Sequence, residues 1–201
     1  MDDKVKSNIE NLELYSDNYP FSLSLRVRNF ENESSYKKFI NNTEKLMRGC
    51  LEYKMWRNYI IDVLGINECM VTKESISEVT IDLHHHVPGL FTFVTALVNE
   101  KIELGKDFCT FDIAREAMEL HFQNKIGYVT LIKSMHEKFH NGYLTIPIDF
   151  VKGDYKYFLK KYSKYLDESD LETIEYRLAI NDSNCTWSVD NYPAEASGDV
   201  I

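Results

Sequence analysis

The chain has 201 residues, of which 44% are hydrophobic, 13% aromatic and 27% charged, with 8 Gly and 4 Pro, which excludes a wholly disordered, collagen-like or linker-like sequence. The length suits one domain, or a small core with appendages, and supplies enough apolar surface to fold without disulfides. The net charge of −9 has the wrong sign for a protein that wraps nucleic acid unaided; the ends carry most of it, leaving 21 Lys and Arg against 23 acids between residues 21 and 180.

No run approaches the roughly 18 apolar residues of a membrane span, and the first twenty residues have neither the basic start nor the apolar stretch of a signal peptide. The expectation is a cytoplasmic protein without membrane contact. Cys50, Cys69, Cys109 and Cys185 are scattered, with no C-x-x-C pair, and read as reduced core thiols.

In chain order, Pro20 to Phe30 alternates apolar and polar residues as a half-buried strand does. From Ser35 to Leu64 the apolar period becomes helical, as one long helix or two shorter ones ended by Gly65. Lys37, Lys38, Lys45, Arg48, Lys54 and Arg57 form the densest basic set there, either a solvated face or a phosphate-contacting one. Ser77 to Leu83 is a β-branched strand that runs into His84, His85 and His86 before Pro88-Gly89 stops it. Helices are predicted over Phe91 to Leu104 and over Thr110 to Phe122, the latter with Thr110 as N-cap. A strand follows from Ile126 to Ile132. Ser134 is then positioned to cap a helix containing Met135 to Asn141, which Asn141-Gly142 ends. Helical patterns over Tyr155 to Leu166 and Ser169 to Leu178 precede an acidic, aperiodic tail.

All 6 His lie between positions 84 and 140. His136 and His140 are four apart on a predicted helix, a spacing that places two imidazoles on one face, as helical metal sites require. The triplet at 84 to 86 supplies a third imidazole and a spare one. Strand alternation puts His84 and His86 on one face with Asp82, leaving open which of the triplet would bind. Three imidazoles favour Zn, Ni or Mn over Mg, although availability can still make Mg the working ion.

The strings IDLHHHVPG, YVTLI and SMHEKFHNG resemble the strand, strand and helix of the HNH, or His-Me finger, nucleases, and in particular small phage-encoded ones. The resemblance covers about residues 77 to 150. It implies an α+β fold, a mainly helical domain around a β-β-α metal finger. Residues 1–76 would form an N-terminal strand and helical region, 77–150 the finger with a helical insertion, 151–180 C-terminal helices and 181–201 a flexible tail. Carried over, it makes His84, His136 and His140 the ligands of one divalent ion (Mg, Mn, Zn or Ni) and His85 the catalytic general base. His86, His121, Asn124 and Asn141 would be auxiliary. The family's central Asn corresponds to Gly127, with Asn124 three residues upstream and His121 a candidate substitute for orienting the base. The implied activity is endonucleolytic hydrolysis of DNA in the host cytoplasm. The alternative is an HNH-like scaffold without catalysis that binds a protein of the phage DNA-packaging or transcription machinery.

Overall fold

The computed structural model describes residues 13–14, 23–77, 79–181 and 183. The tail beyond these, and the start of the strand expected at Pro20, lie outside the described residues. The fold mixes helix and strand and is mainly helical. Two short strands, β1 (Glu13–Leu14) and β2 (Leu23–Ser24), pair antiparallel. Among the described residues, the strand expected to run to Phe30 is confined to Leu23–Ser24, with a single further bridge from Val27 to Phe108.

The helical stretch divides into α1 (Glu33–Gly49) and α2 (Leu51–Asn58), followed by one wider π turn (Tyr59–Val63). Cys50 has an extended backbone at the break, and its Sγ accepts the Tyr53 N–H. Asn32 caps α1 reciprocally with Ser35. Gly65, at φ +69°, reverses the chain where a side chain would be strained.

β3 (Ile81–His85) then pairs antiparallel with β4 (Tyr128–Ile132), in the register His84 opposite Val129 and His85 opposite Tyr128. Both strands are shorter than expected at their N-terminal ends. Between them run α3 (Leu90–Glu103) and α4 (Thr110–Phe122), and after them α5 (Lys133–His140), α6 (Tyr155–Tyr162) and α7 (Glu168–Ala179). Two expected caps are displaced. Cys109, whose N–H donates to Asp112, takes the N-cap of α4 in place of Thr110. Ile132 precedes α5 without a side-chain cap, so Ser134 lies inside the helix.

The sheet separates two apolar cores. The larger gathers Trp56, Phe93, Leu97, Tyr128, Phe158 and Tyr162 from the helices and one sheet face. The smaller packs Val129, Leu131, Met135, Leu144 and Ile146 against the other. Tyr155 and Tyr162, at the two ends of α6, join the cores.

Gly127, just before β4, lies close against the backbone that follows β3. The His86 N–H donates to its carbonyl at 3.0 Å, and a Cβ on residue 127 would fall 2.1 Å from the His86 carbonyl oxygen and 2.9 Å from Tyr155 Cβ. The position matched to the family's Asn therefore admits no side chain, and its glycine serves backbone approach. Gly127→Ala is expected to cost about 3 kcal/mol of stability through overpacking. Equal urea midpoints and slopes for the variant and the native chain would contradict this.

Candidate metal centre

A strand presents successive side chains to opposite sides, and β3 uses this to separate adjacent histidines. His84 faces α5, with ring centroids 4.8 Å from His136, 5.1 Å from His140 and 4.7 Å from Phe139. His85 faces the helical core, between Trp56 and Tyr53, and is 3% exposed.

On the α5 side, His84 Nδ1 lies 2.9 Å from His136 Nε2, and His140 Nε2 lies 3.0 Å from that same atom. One nitrogen of each ring falls within 4.8 Å of the others. An imidazole nitrogen has either one lone pair or one N–H. His136 Nε2 therefore cannot make both contacts as ordinary hydrogen bonds, whereas a cation between the rings accepts all three lone pairs. Zn–N bonds of about 2.0–2.1 Å place tetrahedral ligand atoms roughly 3.3 Å apart. The two short separations need open by only a few tenths of an ångström.

Asp82, on the His84 face, holds Oδ2 3.7 Å from His136 Nδ1. A carboxylate there favours the proton on Nδ1 and leaves Nε2 bare for a ligand role. Burial pushes His84 down to about 2, with the charges of His136, His86, His140 and Arg177 adding to it. His136 is also lowered, by burial and then His140, with Asp82 opposing. Both rings are thus held neutral, the form that binds metal. The cluster grades from buried His84 through half-buried His136 to exposed His140, so one side is open.

On the core side, His85 Nε2 lies 2.8 Å from His121 Nε2, and His121 Nδ1 lies 2.6 Å from the Ala117 carbonyl oxygen. A carbonyl only accepts, so His121 carries its proton on Nδ1, its Nε2 accepts, and His85 donates from Nε2. His85 Nδ1 is left bare, with no partner among the described residues. Burial, then His121, holds His85 well below the ordinary histidine value. Burial pushes His121 down to about 4, opposed by its bond to Ala117. His121 is thus buried and in contact with His85.

His86 shares the His84 side, with ring centroids 6.1 Å apart, but stands outside the three-nitrogen group. It is fully buried and held down to about 3, by burial and then Arg177. Asn124 takes a left-handed turn after α4 at φ +55°, and Asn141 ends α5. Glu137 pairs with Lys133 at 3.9 Å on the exposed surface.

A cavity of about 270 Å³ opens beside the cluster, lined by His84, His85, His140, Arg48, Arg177 and the first turn of α3. Arg48 belongs to the basic set noted in the sequence. Arg177 carried no spacing signal, because only the packing of α7 brings it there. A larger cavity of about 700 Å³ between α1 and α4 is lined by Leu46, Met47, Phe111, Met118 and Phe122 and holds none of the histidines.

Because His121 is depressed below its unfolded value, the unfolded chain binds the extra proton, and stability falls as pH drops from about 6.5 toward 4. One such histidine contributes up to about 1.4 kcal/mol per pH unit in that window. Urea unfolding from pH 7 to 4 should show this slope, and His121→Phe should make it shallower by about that amount. An unchanged slope would show that His121 titrates alike folded and unfolded.

The family model described as Bacteriophage G278-like virion protein matches residues 1–193. No curated protein and no solved structure matches. The match indicates the phage origin expected from the sequence. It also corrects the nuclease expectation, because a family of virion proteins points away from an endonuclease enzyme.

Proposed function

On the premise that the chain belongs to the Bacteriophage G278-like virion protein family, we propose that it is a noncatalytic component of the phage particle. In this reading its β3, β4 and α5 form a finger stapled by one divalent cation, and it acts by docking on another phage protein. The observation that carries the reading is the convergence of His84, His136 and His140 on one point from a strand and a helix separated by the two-helix insertion. The chain is made in the host cytoplasm, and its partner is a protein of the particle, such as one of its DNA-packaging apparatus. A chain of net charge −9 favours such a partner over DNA.

The donor set is three imidazoles with one carboxylate behind them, which suits Zn, Ni or Mn. A bound ion ties α5 to the end of β3 and relieves the crowding of three bare nitrogens. It leaves the open side at His140 for one further ligand.

Two measurements test the proposal. Added Zn, Ni or Mn at a hundredfold excess over Kd should stabilise the chain by about 2.7 kcal/mol, read as a rise in Tm. His140→Ala should abolish that rise, while its exposed position keeps the metal-free Tm close to native. No rise with any of these ions, or a full rise in the variant, would overturn the staple. Mass spectrometry of purified particles should find the chain at a fixed copy number, and its absence from them would overturn the structural role.

A further inference from the structure

The staple leaves an electrostatic problem that the neighbouring side chains define. Arg177 extends from the last turn of α7 with its guanidinium 5.4 Å from the Phe139 ring centroid and Nη1 3.8 Å from where a Gly89 Cβ would stand. It therefore sits at the N-terminus of α3, a helix of 14 residues whose N-cap, Gly89, offers no side-chain cap and whose first turn holds no acid. A helix N-terminus carries partial positive charge, so two positive features face each other. Arg48 lines the same cavity from α1, and among the described residues neither arginine makes an ion pair. Burial alone lowers Arg177, with no carboxylate offsetting it.

A divalent ion at His84, His136 and His140 adds two more positive charges at the edge of this cavity. The acids close by are Asp82 behind His136, Glu44 on the cavity wall, and Asp170, which accepts from Thr92 Oγ1 at 2.8 Å. Within the cavity lining Arg48 and Arg177 face Glu44 and Asp170, so the two charges of the ion are met at the ligands only by Asp82.

We infer that the cavity between Arg48, Arg177 and the first turn of α3 receives the carboxylate of an Asp or Glu side chain of the partner protein, as the fourth ligand of the ion. This inference rests on the metal-stapled reading above. A volume of about 270 Å³ holds a side-chain carboxyl group and excludes anything as large as a duplex. An anion offsets the charge of the ion, and a planar carboxylate presents two oxygens, one for the ion and one for a guanidinium. A phosphodiester carries the same single charge, so phosphate and duplex serve as the comparison arms of the test.

The full-length chain loaded with Co(II) reports its own coordination through visible absorption. Acetate, and a blocked Asp-containing tripeptide, should change that spectrum saturably, with inorganic phosphate and a short DNA duplex as comparison arms. Arg177→Gln should weaken acetate about tenfold while Co(II) binds at least as tightly as in the native chain, and Arg177→Lys should recover part of the acetate loss. Co(II) binding with no response to carboxylate overturns the fourth-ligand assignment and leaves the staple standing. No Co(II) binding by the native chain overturns both. Tighter response to phosphate or duplex than to acetate overturns the carboxylate in favour of a phosphate ligand. Unchanged acetate affinity in Arg177→Gln removes the role of the arginine and with it the inference.

Discussion

The pairing of β3 with β4 is the constraint on which the rest depends. The two strands are far apart in the chain, so closing them together costs loop entropy, and the return comes from burying both faces of the ribbon. The register places Val129 opposite His84 and Tyr128 opposite His85. Gly127 then lets the chain pass beneath His86 closely enough for a direct backbone hydrogen bond. A one-residue slip would send His84 to the helical core and His85 toward α5, exchanging their surroundings entirely. Strand register is therefore also site geometry here.

Much of this was legible in the sequence, and the failures have identifiable causes. The helices α3, α4, α6 and α7 follow apolar periodicity closely, because tertiary packing and local propensity agree there. The spacing of His136 and His140 and the face shared by His84 and Asp82 also followed from period alone. The displaced caps did not, since Cys109 and Ile132 are not preferred N-cap residues and Asp112 acts from inside the helix. Val27 shows the opposite failure: alternation predicts a strand, but with only a single bridge to Phe108 beyond Ser24 there is no partner ladder to sustain one. Arg177 was invisible because its position depends on how α7 packs, which no local pattern encodes.

The two histidine groups illustrate opposite ways of burying imidazole. His85 and His121 bond through a defined order of donors and acceptors ending on the Ala117 carbonyl, which leaves only His85 Nδ1 bare. Stacking against Trp56 and Tyr53 closes their environment. The pair thus belongs to the core, held neutral by desolvation. His84, His136 and His140 have no such order, since two short contacts end on one nitrogen. An arrangement of that kind is poor as a hydrogen-bond network and suitable as a coordination sphere, because three lone pairs repel until a cation lies among them.

The same alternation bears on why histidines adjacent in sequence need not form a catalytic pair. A general base must reach water bound near the ion, and His85, although its ring packs on the opposite strand face, also borders the cavity that His84 and His140 line. In β3 the pleat continues to His85, which pairs with Tyr128 and packs against aromatic rings. The chain turns only afterwards, at Val87, whose φ of +55° is costly for a β-branched residue. That turn sends α3 away from the strand end with its N-terminus toward Arg177, so the strained residue contributes to the anion-seeking cavity. The positive features of this region are those that the proposed partner carboxylate would meet.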